Sequence, residues 1–310
     1  MLTSLIFLGC EQPFDGRGSL DQKIIVYSIL STDRNIQFVR VDQSYMPQSF
    51  DATTYTEATF LTDVRVTITL VGSKTWLLRD TVLPRRDTLR YKNPIHAFAA
   101  NLILGGGNSY RIDIVHPRLG TVASTVRVPY KPTLEVGYPS NNILSYPSSY
   151  SDTGNIVFKV TLGEIAFIGR MFVDYEVLVN GEWTSERVEI PERYQSSEVD
   201  DYAYVVYPKL VKPSSWYTVE VFKNKLYQMA LTDIAYKKYR TNRIIFDRVV
   251  FKVLQVDPNL YRYMNPNDDP HSIRLDEPTF SNVKGGLGLV GAYSVDSLIH
   301  LLPENFPFNH

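Results

Sequence analysis

The segment GGLGLVGAY, residues 285–293, carries the spacing Gly286-x-Gly288-x-x-Gly291 of a dinucleotide-binding fingerprint. That fingerprint works only as a turn between a strand and a helix, where helix-terminal amides meet pyrophosphate and an acid roughly twenty residues on binds ribose. Here Ala292-Tyr293-Ser294-Val295 continues as strand, and no second strand–helix–strand unit follows. Leu287, Leu289 and Val290, threaded among the glycines, fit a strand bent at glycine or approached closely by other backbone. The segment therefore reads as a β-strand, expected to close the second half of the chain, and a nucleotide cradle is not expected.

The rest of the chain repeats the period of two. Val64, Val66, Ile68 and Leu70 alternate with Arg65, Thr67 and Thr69, which puts the apolar set on one strand face. Residues 110–114 do the same after the turn Gly105-Gly106-Gly107-Asn108, and residues 121–128 supply another strand. Ile24–Leu30 and Ile36–Val41 flank Asp33-Arg34-Asn35 as a hairpin. Short strands separated by turn signals, without a helical stretch, predict an immunoglobulin-like β-sandwich over residues 23–130. Pro129-Tyr130-Lys131-Pro132 marks the linker, because proline lacks the donor a central strand needs.

Residues 131–310 predict a second, β-rich domain. Val173, Tyr175, Val177 and Val179 alternate with Asp174, Glu176 and Leu178 up to Asn180-Gly181, the strongest short hairpin signal. Tyr227, Ala230, Leu231 and Ile234 shift to helical spacing, with Lys237, Lys238 and Arg240 in the last turn, so a helix is expected near 225–240. Asp257 as N-cap and Pro258 at the first helical position predict a short helix near 258–264. The expected fold class is mainly β: an N-terminal immunoglobulin-like β-sandwich, then a β-rich domain with one or two helices.

Composition narrows the function classes. A net charge of -1 over 310 residues argues against nucleic acid as a partner, which requires a basic stripe. The 21 tyrosines suit wet faces and edges of sheets. The single cysteine, Cys10, excludes a disulfide framework and a cysteine-rich zinc site. It ends the apolar run Leu2–Gly9, which resembles the end of a bacterial lipoprotein signal peptide whose cysteine is lipidated. Phe7 departs from that pattern, as does the lack of a basic segment; the second is expected if the true start lies upstream. Residues 1–22 are accordingly expected to be a signal remnant and tether.

Chemical motifs are sparse. His96, His116, His271, His300 and His310 form no i, i+4 pair, and there is no Gly-x-Ser-x-Gly elbow. The acidic pairs Asp200-Asp201 and Asp268-Asp269 lack the spacing of a calcium loop and read as solvated turns. No catalytic, cofactor-binding or metal-ligating residue is expected.

The segment Glu277-Pro278…Ser281-Asn282…Gly285-Gly286-Leu287-Gly288…Gly291-Ala292-Tyr293 resembles the closing signature of a Bacteroidota lipoprotein family, domain of unknown function 4249. Cys10, the stretch Glu11–Asp15, Val26–Ser31, residues 39–41 and Val126–Pro129 also look similar. The resemblance implies an outer-membrane lipoprotein encoded beside a TonB-dependent receptor, its expected partner, with Glu277, Pro278, Gly285, Gly286, Gly288, Gly291 and Tyr293 as structural signature residues. It implies no catalytic residue. The leading expectation is thus a non-enzymatic, lipid-anchored accessory of TonB-dependent nutrient uptake. The alternatives are a glycan-binding or adhesion module using Trp76, Trp183 and Trp216, and a hydrolase whose site assembles only in space.

Overall fold

A computed structural model describes residues 21–45, 59–84, 94–163, 166–196, 203–265 and 280–310. The protein is mainly β. In chain order the first half holds β1 (Ile24–Ser31), β2 (Ile36–Gln43), β3 (Arg65–Leu70), β4 (Thr75–Leu77), β5 (Arg79–Leu83), β6 (Ile95–Asn101), β7 (Ser109–His116) and β8 (Gly120–Arg127). The second half holds β9 (Thr133–Val136), α1 (Ser140–Ser145), β10 (Asn155–Thr161), β11 (Ala166–Val179) and β12 (Glu182–Ile190). It continues with β13 (Arg193–Ser196), β14 (Ala203–Val206), β15 (Tyr217–Lys223), α2 (Asn224–Thr232), β16 (Ile244–Val256), α3 (Pro258–Met264) and β17 (Leu287–Leu301).

One eight-stranded sheet, ordered β12-β11-β16-β17-β1-β2-β6-β5, runs through both halves. Two smaller sheets stack on one of its faces. The sheet β4-β3-β7-β8 lies over the β1 end and encloses a core with Val26, Val39, Val66, Ile68, Ile112 and Val126. The sheet β15-β10-β9, helped by α1 and α2, lies over the β12 end and encloses an aromatic core. There Phe158 stacks on Phe251 with ring centroids 4.0 Å apart. Each fully buried aliphatic or aromatic side chain in these cores contributes about 1.5–3 kcal/mol.

The local signals map onto these elements. Val66 and Ile68 are fully buried while Val64 and Leu70 pack at the core margin. Asn180 and Gly181 both take positive φ, 53° and 85°, and join β11 to β12 with Val179 opposite Glu182. The helical stretch begins as α2 and continues as a wider turn over Asp233–Lys238. Asp257 caps α3 by accepting from the backbone N–H groups of Asn259 and Leu260.

Residues 285–293 do more than close the second half. From Leu287 to Tyr293, β17 pairs in parallel with β1; from Tyr293 to Leu301 it pairs antiparallel with β16. Val290 and Ala292 enter the first core, whereas Leu298 packs on the second. The expectation that this strand closes the second half holds only from Tyr293 onward. A parallel partner more than two hundred residues away leaves no local trace in sequence.

The proline-flanked segment 129–132 lies at the junction and is tied down. The Tyr130 carbonyl accepts from Gln255 Nε2 at 2.8 Å and from Ser294 Oγ at 2.7 Å. Gln255 Oε1 in turn accepts from the Gly163 N–H at 2.7 Å. Gln255 and Ser294 are fully buried, so their polar groups need these partners.

Candidate functional site

The site begins with the two-residue turn at Asn180-Gly181, which sets the β11–β12 register and hence what faces what on the sheet. Met171, Val173 and Tyr175 of β11 point into the aromatic core, and Val177 is buried on the same face. Arg170, Phe172, Asp174 and Glu176 therefore occupy the opposite, outward face. The register puts Glu189 opposite Phe172, Arg187 opposite Asp174, and Ser185 opposite Glu176.

On the other side of β11, pairing with β16 runs Asp174 to Arg248 and then jumps to Tyr175 with Phe246, leaving Asp247 as the extra residue of a β-bulge. Bulges bend a strand and re-aim its side chains. Here the bulge stands beside Asp174, whose carboxylate is held from both neighbouring strands. Arg187 forks onto it through Nε and Nη2, the latter at 2.8 Å, and Arg248 Nε donates to Oδ2 at 2.9 Å. The Arg187 hydrogen bond, supported by Arg248 and opposed by burial, holds the Asp174 carboxyl below the usual carboxylate range. Asp247 approaches Arg248 Nε at 3.5 Å. Phe172 lies between two guanidinium groups, Arg170 at 5.2 Å and Arg187 at 5.4 Å from its ring centroid.

An open cavity of about 300 Å³ lies over this cluster, lined by Asp174, Glu176, Ser185, Arg187, Asp247 and Arg248 together with Tyr175 and Glu186. Glu186 is engaged by Lys238 at 3.6 Å. Trp183, 44% exposed, follows on the same outward face of β12, with the Arg243 guanidinium 5.9 Å from its ring centroid. Fixed donors, fixed acceptors and an aromatic face on rigid strands make a binding arrangement. Because Asp174 is ionised and both its oxygens are occupied, it has no proton to donate and little capacity left to take one.

Two other arrangements carry chemistry. Ser145 Oγ and His300 Nε2 lie 2.9 Å apart, and burial pushes the imidazole pKa down. No carboxylate orients that ring among the described residues, and Ser145 closes α1, at the helix end that offers no amides to an oxyanion. Glu220, on β15, faces inward over Gly169: a Cβ on residue 169 would lie 2.9 Å from Glu220 Cγ. Burial, with Glu192 adding its negative charge, pushes the Glu220 carboxyl up to about 7.

The signature glycines are structural. A Cβ on Gly288 would lie 2.0 Å from the Val26 carbonyl oxygen; one on Gly291 would lie 2.9 Å from Leu260 Cβ. Gly285 and Gly286 turn the chain against Thr121 and Ile24, and Tyr293 packs with Leu260 and Leu289 under α3. Cys10, Glu277 and Pro278 lie outside the described residues, as do His271, Asp200-Asp201 and Asp268-Asp269. The three tryptophans do not converge: Trp76 packs at the margin of the first core, Trp183 lies on the outward face of β12 two residues before Ser185, and Trp216 precedes β15. The histidines are equally dispersed. His96 stacks on Phe60, His116 accepts from the Arg118 and Leu119 N–H groups, and His310 stacks on Tyr236. Among the described residues no three His, Cys, Asp or Glu side chains gather as a metal site, and no helix is long and apolar enough to cross a membrane.

Sequence reading passed over Asp174, Arg187 and Arg248. The first two were within reach, because a two-residue turn at 180–181 pairs residues whose numbers sum to 361, as 174 and 187 do. Arg248 was not, since it arrives on a strand more than seventy residues away.

No curated protein matches the chain. The family model described as Domain of unknown function (DUF4249) matches residues 11–299, and the chain belongs to that family.

Proposed function

We propose that this chain is a non-enzymatic, lipid-anchored protein of the outer membrane that handles a ligand for a TonB-dependent uptake system, with the Asp174 cavity as its binding site. The observation that carries the reading is Cys10, which ends an apolar run and stands one residue before the stretch matched by the family. A single acyl chain holds a protein to a bilayer only marginally, so stable anchoring would need the multiple acyl chains of a mature lipoprotein. The pinned and ionised Asp174 supports binding over catalysis.

The test is metabolic labelling of the native gene product with an alkynyl fatty acid, followed by membrane fractionation and crosslinking to the neighbouring receptor. The wild-type chain should carry label, fractionate with the outer membrane and crosslink to that receptor. A Cys10→Ala chain should lose the label and the membrane association; one that stays in the outer membrane would sink the anchoring. A glycan-binding role is the second reading, and one observation favours it: Trp183 stands two residues before the cavity-lining Ser185, on the same outward face of β12.

A further inference from the structure

We infer that the Asp174 cavity recognises a neutral, hydroxyl-rich ring ligand, a saccharide presenting a vicinal diol; this rests on the cavity being the binding site proposed above. Three observations select that chemistry.

The first is what the arginines have left to give. Arg248 reaches Asp174 through Nε, and among the described residues its terminal nitrogens make no hydrogen bond, so they face the cavity it lines. Asp174 therefore acts as a positioning residue, holding the Arg187 fork and the Arg248 Nε from two different strands.

The second is the unspent polar set. The side chains of Glu176 and Ser185 face each other across β11 and β12, and neither has an ion-pair or hydrogen-bond partner among the described residues. Asp247 is projected by the bulge and meets only Arg248, at 3.5 Å, among the described residues. A carboxylate accepts from two adjacent hydroxyls, while a guanidinium edge donates to their oxygens. A vicinal diol satisfies both kinds of group at once. An anionic ligand would instead meet a lining in which the carboxylates Asp174, Glu176, Glu186 and Asp247 outnumber Arg187 and Arg248. A simple cation would leave the arginine donors unmatched.

The third is Trp183. It stands two residues before Ser185 on the same face, about 7 Å along the strand. Its half-exposed indole offers an apolar plane beside the polar set, suited to the C–H face of a sugar ring.

The experiment uses the full chain carrying Cys10→Ala, so that binding is read without lipid. Saturation-transfer NMR and calorimetry are run against three sets of probes. The first holds neutral mono- and disaccharides of glucose, galactose, mannose and N-acetylglucosamine. The second holds uronates and sulfated sugars, and the third short lysine and arginine peptides. The expected result is binding in the neutral arm, weakened about tenfold by Glu176→Gln and by Trp183→Ala, each the loss of one good contact. Neutral-sugar binding unmoved by both variants would overturn the proposal. So would binding confined to a charged arm; if Glu176→Gln abolished such binding, the cavity would stand as a site and only the saccharide would fall. Silence in all three arms would remove the cavity as a binding site together with its ligand class.

Discussion

Asp257 and Ala292 are joined twice: the Asp257 N–H donates to the Ala292 carbonyl at 2.9 Å, and the Ala292 N–H donates to Asp257 Oδ1 at 2.7 Å. The same carboxylate caps α3, so one side chain seats a helix on the outward face of the strand that crosses both halves. Burial raises the Asp257 pKa against the pull of these backbone N–H groups. Asp257→Ala removes a cap, worth about 1 kcal/mol, and leaves the buried Ala292 N–H unpaired, at about 1–3 kcal/mol. The expected loss is about 2–4 kcal/mol in urea unfolding. Asp257→Asn keeps an acceptor and should lose less. Equal losses would mean the carboxylate charge, not the hydrogen bonds, holds α3.

Gly288 tests the close crossing of β17 over β1. Its φ is +115° and a Cβ would sit 2.0 Å from the Val26 carbonyl oxygen, so the backbones must separate to admit alanine. Gly288→Ala should cost about 3 kcal/mol or more, by strain plus loss of packing in the first core. Gly72 is the internal control. Its φ is +79° with open space around it, so Gly72→Ala should cost only the conformational penalty, about 1–2 kcal/mol. Similar losses at both positions would refute the close-approach account of the signature.

Much of this architecture was legible where its cause was local. The alternation around Val66 and Ile68, the Asn180-Gly181 turn and the Asp257-Pro258 helix start are short-range steric and hydrogen-bonding facts, and each maps onto an element. The split use of β17 was not legible. Its alternation assigns faces, yet no pattern states which strand supplies the next ladder of hydrogen bonds. The candidate site divides the same way. Asp174 and Arg187 follow from a turn and a count, whereas Arg248 depends on a bulge in a distant strand. Histidines and nucleophiles announce themselves by type, whereas charged residues alternating on an outward strand face read as ordinary solvated surface.

Asp174 gives a pH signature. Its folded-state pKa lies below the ordinary carboxylate value, so its contribution is present above about pH 4 and is lost as pH falls through the depressed value. Asp174→Asn should cost about 1–3 kcal/mol at pH 7, the scale of hydrogen bonds to charged groups. The difference from wild type should hold steady from pH 8 to pH 5 and shrink below pH 4. A gap unchanged at pH 3 would show that the arginines do not depend on the carboxylate charge.

Glu220 works in the opposite direction. Its carboxyl is carried up to about 7 by burial over Gly169 and by Glu192. A raised folded-state value means the stabilising condition is the protonated one: it is complete below about pH 4.5, and it is lost as pH rises to 7. Above that pH the folded protein carries a half-buried carboxylate beside a second one, a penalty of about 1–3 kcal/mol once solvent screening is allowed for. Glu220→Gln keeps the shape and removes the charge. It should leave urea stability unchanged at pH 4 and raise it by about that amount at pH 8. Glu192→Gln, which removes the smaller cause, should recover only part of the gain. Stabilisation by Glu220→Gln that is the same at both pH values would place its effect in packing and exclude the charge.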